Sequence, residues 1–132
     1  LQLTGAYKDR MKFRLAETYL LLAEAYLRQD MPDKAADAVN EVRRRAKVSD
    51  VSDEEMTMDF LLDERIRELY GEESRRFTLI RTGKLLERVR KYNPEARDLI
   101  QDFHVLWPIP QAIRDANVGN FPQNPGYEGY EG

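Results

Sequence analysis

Apolar residues recur at helical spacing from Phe13 to Gln29. The stripe is formed by Leu15, Tyr19, Leu22, Ala23 and Tyr26, and Ala16, Leu20 and Leu27 widen it. This spacing predicts an amphipathic helix that touches neighbours on more than one side. Pro32 follows a polar break and suits the first turn of a second helix, which we expect to extend to about Lys47. The residues of the second helix that face the first are expected to be Ala35, Ala38, Val39, Val42 and Ala46.

The helix pair of residues 13–47 resembles a tetratricopeptide repeat, a helix–turn–helix unit of about 34 residues. Ala23, Tyr26 and Ala35 stand at the spacing of the small–aromatic–small signature of that repeat. Small residues suit this position because they let two antiparallel helices approach closely. Proline is absent where the repeat usually ends, so a plain helical hairpin remains an equal alternative.

Residues 52–92 predict a second, strongly charged helix pair. Ser52 and Glu55 form an S-x-x-E capping box, which predicts the start of the third helix. Gly71 is expected to form the turn to the fourth helix, and Gly83 to end or kink that helix. The helical pattern continues from Lys84 and stops before Asn93-Pro94, because the residue before proline disfavours helix.

Arg65 lies in the middle of the apolar face of the third helix at about 100° per residue. The other members of that face are Met58, Leu61, Leu62 and Leu69. A buried guanidinium needs carboxylates or carbonyls around it, so we expect Arg65 to be buried and paired with Glu68 or Glu72. Further charges are expected from Arg75, Arg76 or Arg81. We interpret this network as a structural lock between helices in preference to a catalytic or anion-binding cluster.

The segment 103–132 predicts an extended tail that wraps the surface. Pro108 and Pro110 exclude a helix or a central strand around Trp107. One short helix is expected at 111–116, followed by a turn-rich end. Trp107 stands between apolar neighbours, so we expect its ring to pack in the core. Core packing is also expected for the aromatic residues of the helical stripes, namely Tyr19, Tyr26, Phe60 and Phe77.

Composition sets the outer limits. A chain of 132 residues with 42% hydrophobic and 34% charged residues is sufficient for one globular domain, expected over 1–132. The net charge of −3 gives no case for a nucleic-acid partner, and we interpret Arg43, Arg44 and Arg45 as the solvated end of a helix. No cysteine is present, which excludes disulfides and thiolate zinc sites. No apolar run is long enough to cross a bilayer.

Several motifs together resemble the C-terminal part of the SusD/RagB family. The helical motifs are Arg14-Leu15-Ala16-Glu17, Ala23-Glu24-Ala25-Tyr26, Leu62-Asp63-Glu64-Arg65, Glu68-Leu69, Arg75 with Phe77, and Arg81-Thr82-Gly83. The tail adds Leu106-Trp107-Pro108-Ile109-Pro110-Gln111 and Gln123-Asn124-Pro125-Gly126-Tyr127. The chain departs from the family pattern at Gly71 to Arg76, where charged residues replace a more aromatic stretch. Family members are much longer, and the chain lacks an initiating Met, so we expect it to be a portion of a longer protein.

The resemblance implies an all-α fold of tetratricopeptide-like helical hairpins with an extended, proline-rich C-terminal segment. It implies a non-catalytic part of a Bacteroidetes surface lipoprotein of the outer membrane, which captures glycans or peptides. The implied partner is a TonB-dependent, SusC-like transporter over which the protein sits as a lid. Family ligand residues lie mainly outside this segment, so no ligand-binding residue is assigned here. Catalytic residues, metal ligands and cofactors are not expected either.

Two other classes of function remain as alternatives. A glycoside hydrolase needs two carboxylates about 5 to 10 Å apart in a cleft, and Glu72 and Glu73 fit that requirement no better than chance. His104 lacks a nucleophile at any recognisable motif, so a structural role is favoured. An independent tetratricopeptide adaptor would need several stacked repeats, and one is visible. We also expect that these residues alone do not bind oligosaccharides measurably.

Overall fold

The computed structural model describes residues 13–130, and within that range the chain is helical with no strand. The helices are α1 (Leu15–Leu27), α2 (Pro32–Arg45), α3 (Met58–Glu68), α4 (Arg75–Arg81), α5 (Leu85–Tyr92), a 3-10 helix (Asp102–Val105) and α6 (Gln111–Asp115). The predicted all-α fold is therefore confirmed. The two ends of the expected domain, 1–12 and 131–132, lie outside the described residues.

The chain divides into two compact units, Leu1–Ser74 and Arg75–Gly132. We call them the N-terminal and the C-terminal unit. The expected boundaries of a single domain over 1–132 stay a prediction. Within residues 13–130 no helix combines the length and the apolar character that a membrane span requires.

In the N-terminal unit, α1 and α2 pack through small residues, as the tetratricopeptide-like pattern predicts. Ala23, Ala35 and Val39 are completely buried, and Tyr26 packs against the same core. The core also takes in α3 through Leu61. Side chains of this size allow the two helix backbones to approach closely. Ala46 was expected in this interface, but it follows the last residue of α2 and is exposed.

The buried face of α1 differs from the predicted stripe. Leu15 is 68% exposed and Leu22 is 40% exposed, whereas Leu20 and Glu24 are buried. Ala23 of the predicted stripe is buried too, so the buried face combines part of the stripe with Leu20 from its widening. Because apolar residues occur on both sides of α1, periodicity alone does not distinguish the side that faces α2 and α3.

The connection from α2 to α3 is fixed by a buried amide. Asn40 Nδ2 donates to the carbonyl of Val51 at 3.0 Å, and the Val51 N–H donates to Asn40 Oδ1 at 2.8 Å. Both residues are buried. The side chain therefore satisfies both backbone groups of Val51, as a neighbouring strand would. This holds Val51 and Met56 in the core.

The predicted capping box is present, but it does not begin the helix. The Glu55 N–H and Ser52 Oγ are 3.3 Å apart, and the Ser52 N–H lies 3.3 Å from Glu55 Oε2. These bonds close a turn, and α3 begins later, at Met58. Its cap is Thr57, whose Oγ1 accepts from the Phe60 N–H at 3.2 Å. The prediction of a helix start at Ser52 is wrong because Thr57 provides a second cap residue next to the apolar stripe.

In the C-terminal unit, α4 and α5 are separated at Gly83, as predicted. Gly83 has φ +71°, a conformation in which glycine is favoured after a helix. The Lys84 N–H and the Gly83 N–H bond back to the carbonyls of Leu79 and Ile80. The predicted short helix at 111–116 is also confirmed, as α6.

Candidate functional site

Arg65 is buried as predicted, with 2% of its surface exposed, but its partner is different. Its Nε donates to Glu73 Oε2 at 2.9 Å, and Nη2 lies 3.8 Å from Glu17. The expected pairing with Glu68 or Glu72 is therefore wrong. Gly71, at φ +77°, provides the physical reason, because it reverses the chain after α3. Following that turn, the Glu73 N–H bonds to the Leu69 carbonyl at 3.0 Å.

Glu68 and Glu72 instead bind Arg14, which immediately precedes α1. Arg14 donates to both carboxylates and also to the Glu68 carbonyl. The hydrogen bonds that Arg14 donates to Glu72 and, second in effect, to Glu68 raise the pKa of the Arg14 guanidinium above its ordinary value. Arg45 adds a 2.6 Å bond to Glu68. Arg76, expected in this network, donates to the His104 carbonyl within the C-terminal unit.

The basic end of α2 is less solvated than predicted. The side chain of Arg43 is 12% exposed and donates to Glu64 Oε2 at 2.7 Å. Only Arg44 and Arg45 remain largely exposed, at 54% and 64%. Each carboxylate of this charged cluster thus has an arginine partner. Such a cluster joins α1, α2 and α3 and fits a structural lock better than an open anion site.

Trp107 does not pack in the core, contrary to the prediction. It is 56% exposed, and the Arg76 guanidinium lies over its ring at 4.3 Å from the centroid. Pro108 and Pro110, which both follow Trp107, keep this segment extended, so the apolar neighbours of Trp107 in the sequence do not bury its ring. The prediction for Phe77 is wrong as well, since it is 62% exposed. Tyr19, Tyr26 and Phe60 are partly buried against the core, as expected.

The two tail motifs of the sequence are hydrogen-bonded to each other. Gln123, 7% exposed, accepts from the Ile109 N–H at 2.7 Å and donates to the Ile109 carbonyl at 2.9 Å. Ile109 stands between Pro108 and Pro110 and holds the only backbone N–H of that triplet. We call this pair of bonds the Gln123 clasp. Local sequence patterns do not predict this clasp. Its signal lies in the structure, where a buried side-chain amide meets the single N–H of the triplet.

Neighbouring residues reinforce the clasp. Asn124 Nδ2 donates to the Trp107 carbonyl at 2.7 Å, and the Tyr127 hydroxyl donates to the Leu106 carbonyl at 2.9 Å. The ring of Tyr127 also packs edge-on against Phe103 at 4.9 Å. The proline-rich segment is therefore held by side chains in place of a strand partner.

His104 and the candidate hydrolase carboxylates are engaged in local contacts. The Gln101 N–H donates to His104 Nδ1 at 2.8 Å, and the imidazole lies 4.3 Å from the Phe103 ring. Glu72 is bonded to Arg14, and Glu73 to Arg65. Residues 13–130 contain no cluster of three or more His, Asp or Glu side chains placed to hold a metal ion.

Among the residues that the structure describes, the helical hairpin carries two open grooves. One, of about 370 Å³, is lined by residues of α1 and α2 that include Leu15, Tyr19 and Glu41. The other, of about 250 Å³, includes Leu22, Tyr26 and Asp37. The residues of α1 that are exposed against expectation therefore line the concave surfaces of this unit. Exposed apolar side chains flanked by charges are typical of protein–protein contact surfaces.

Comparisons with known proteins agree on one family. The sequence profile of the SusD family matches residues 3–127. The SusD-like protein P25 of Formosa agariphila is 36% identical over 113 residues, which are 77% of this chain and 21% of that protein. The starch-binding protein SusD of Bacteroides thetaiotaomicron is 35% identical over 125 residues, 88% of this chain and 21% of that protein. The chain thus spans about a fifth of these relatives. No solved structure gives a significant match.

Proposed function

Since the chain belongs to the SusD family, we propose that it forms the C-terminal, helical part of a cell-surface protein that binds nutrients. The proposed nutrient is a glycan, and the protein binds it without converting it. The observation that carries this proposal is the match over residues 3–127 together with 35% identity to a starch-binding relative. The chain covers 21% of that relative, so the rest of the longer protein would supply the ligand site.

The proposed role of these residues is to build a rigid scaffold. The charged cluster around Glu68 joins three helices, and the Gln123 clasp fixes the tail. Both are contacts of the chain with itself. Carbohydrate recognition favours an exposed aromatic face beside amides and carboxylates on rigid elements. One face of Trp107 is covered by Arg76 and is closed to a sugar ring. This contact favours a structural role for the segment over a role in sugar binding.

The proposed partner is a TonB-dependent outer-membrane transporter of the SusC type, and the proposed location is the outer membrane, through a lipid anchor outside this chain. The smaller of the two grooves on the α1–α2 hairpin, together with its exposed rim, is the surface that we assign to that partner. It combines half-exposed Leu22 with the acidic side chains of Asp37 and Glu41. A charged, partly apolar helical face suits docking against another protein.

The experiment uses the full-length protein, tagged and purified with mild detergent from outer membranes. We expect a TonB-dependent transporter to co-purify and the complex to bind glycans. Asp37→Lys with Glu41→Lys should reduce co-purification, because both reverse charge on the proposed docking face. Glu95→Lys with Asp98→Lys, which reverses two exposed charges in the C-terminal unit, is the matched control. Absence of any transporter from the purified wild-type complex would refute the partner.

The same preparation tests the two alternative functions, a glycoside hydrolase and a tetratricopeptide adaptor, by whether glycan is bound and whether it is cleaved. A glycoside hydrolase would release reducing ends from the glycans, and Glu72→Gln would abolish that release. A tetratricopeptide adaptor would bind protein partners but no glycan. The proposal predicts glycan binding without release of reducing ends.

A further inference from the structure

The C-terminal unit contains an open groove of about 330 Å³, formed by α4, α5 and the segment that leads to the 3-10 helix. Its apolar lining comes from Val89, Ala96, Leu99 and Ile100. Leu99 is 71% exposed, so apolar surface is open to a ligand. The volume lies at the lower end of the range for small-molecule sites, about 300–1,000 Å³.

The polar side chains that line the groove present hydrogen-bond donors. They are Arg76, Asn93 and His104. Asn93 Oδ1 already accepts from the Glu95 and Ala96 N–H groups, which leaves its amide nitrogen as donor. His104 Nδ1 accepts from the Gln101 N–H, so the neutral imidazole carries its proton on Nε2.

Three backbone carbonyls of the lining residues already accept hydrogen bonds. The Val89 carbonyl accepts from the Asn93 N–H, and the Ala96 carbonyl from the Ile100 N–H at 3.0 Å. The His104 carbonyl accepts from Arg76 Nη2. These three carbonyls each accept a hydrogen bond already, whereas the polar side chains of the lining offer donors, so the groove favours a ligand that accepts hydrogen bonds.

The Arg76 guanidinium is fixed in place from two sides. It stacks on Trp107 and bonds to the His104 carbonyl, and its Nε is buried without a hydrogen-bond partner. The nearby acidic side chains Glu95 and Asp98 are exposed and do not line the groove. A fixed guanidinium beside an apolar floor suits a carboxylate, with which it forms charge-assisted hydrogen bonds.

We infer that this groove binds a carboxylate carried on a compact apolar body, with Arg76 as the anion ligand and Leu99 and Ile100 against the apolar part. Such a group occurs at the C-terminus of a peptide that ends in an apolar residue and in small free organic acids. The site is separate from the glycan site proposed above and does not depend on it.

The test is a titration of this chain with N-acetyl-leucine, followed by calorimetry and by the fluorescence of Trp107, the only tryptophan. We expect saturable binding with a Kd on the order of 1 mM, as for other ligands of about a dozen heavy atoms. N-acetyl-leucinamide should bind at least about tenfold more weakly, because it lacks the charge. Equal affinity for acid and amide, or no saturation with either, would overturn the inference.

A further ligand, 4-methylpentanoate, distinguishes the two sources of the carboxylate. Affinity equal to that of N-acetyl-leucine supports a free organic acid. Clearly weaker binding supports a peptide C-terminus, because the acetylated amide then contributes. Either result supports the site.

Single-residue variants test whether the ligand binds in this groove. Arg76→Gln should abolish binding, while Arg97→Gln, an exposed arginine outside the lining, should leave it unchanged. Ala96→Phe should block the groove with Arg76 intact, which keeps the test valid if loss of Arg76 loosens the tail. Thermal unfolding of each variant verifies folding. Unchanged binding by Ala96→Phe, or equal loss with Arg97→Gln, contradicts the inference.

Discussion

Arg65 is held almost completely out of water, and its interactions are local to the N-terminal unit. The bond to Glu73 compensates the buried charge, with Glu17 at longer range. Removing one partner of a buried ion pair leaves the other charge without compensation, which costs more than the pair itself contributes. The side chain is therefore a sensitive point of the fold, although it has no part in the proposed ligand sites.

We expect Arg65→Ala to lower the free energy of unfolding by on the order of 3 kcal/mol, because the change breaks a buried ion pair and takes the Arg65 cation away from the Glu73 carboxylate. Urea unfolding followed by circular dichroism measures the change. Arg44→Ala is the control, since Arg44 is 54% exposed and pairs at the surface, where solvent screening leaves an ion pair little effect on stability. Equal losses in the two variants would contradict the structural role of Arg65.

Gly126 has no room for a side chain. Its φ is +88°, and a Cβ atom there would lie 2.3 Å from Cγ of Phe103. We expect Gly126→Ala to destabilise the protein by about 3 kcal/mol, through a left-handed backbone and displacement of the aromatic ring. Gly119→Ala, where a Cβ meets no atom within 4 Å, should change stability little. The two melting temperatures, compared directly, decide the matter.

For single residues, the sequence predicted the burial of Arg65 but not the identity of its ion-pair partner. Burial follows from the position of Arg65 in an apolar stripe, which depends on helical period alone. The partner depends on Gly71, whose positive φ brings Glu73 back towards α3. Loop conformation of this kind depends on contacts that a periodic pattern does not contain. The exposure of Trp107 was missed for a similar reason, because its contact with Arg76 joins distant residues.

At the scale of elements, helix α3 owes its start to one hydroxyl. Thr57→Ala should lower stability by about 1 kcal/mol, because the Phe60 N–H loses its acceptor. Ser52→Ala removes a bond in the preceding turn and should leave the length of α3 unchanged. Helical content and unfolding of both variants, measured side by side, test which residue is the cap. A larger loss of helix in Ser52→Ala would restore Ser52 as the start of the helix.

The extended tail depends on the Gln123 clasp in the way that a strand depends on its neighbour. Gln123→Ala removes the hydrogen-bond partner of the partly buried N–H and carbonyl of Ile109, and we expect a loss of about 2 kcal/mol. The loss should appear as earlier proteolysis of the tail as well as a lower melting temperature. Gln111→Ala, on an exposed helix face, is the matched control. Identical proteolysis of the two variants would disprove the clasp.

Helices were predicted more reliably than the contacts between non-helical segments. The pattern identified α1, α2, α4 and α5, since each repeats apolar residues over about two turns or more. It placed the start of α3 too early, because two capping residues, Ser52 and Thr57, precede the stripe. The clasp joins residues that are 14 positions apart in sequence, and no periodicity connects them.

For the whole molecule, we expect this chain alone to bind no neutral oligosaccharide. Trp107 is covered on one face by Arg76, and Tyr19, Tyr26 and Phe60 are partly buried against the core. Calorimetry against a panel of neutral oligosaccharides should show no heat beyond dilution. The full-length protein, titrated in parallel, should bind at least one member. A saturable isotherm with micromolar affinity for this chain would mean that a complete sugar site lies within it.

The Gln123 clasp has a consequence for the order of events during synthesis. The ribosome adds Ile109 well before Gln123, so the proline-rich segment emerges without the side chain that completes its hydrogen bonds. Until Gln123 follows, this stretch has neither a strand neighbour nor an amide to replace one. The C-terminal unit can therefore reach its final form only after its last residues have been translated. A chain that is truncated between the two motifs and released would expose this segment to chaperones and proteases.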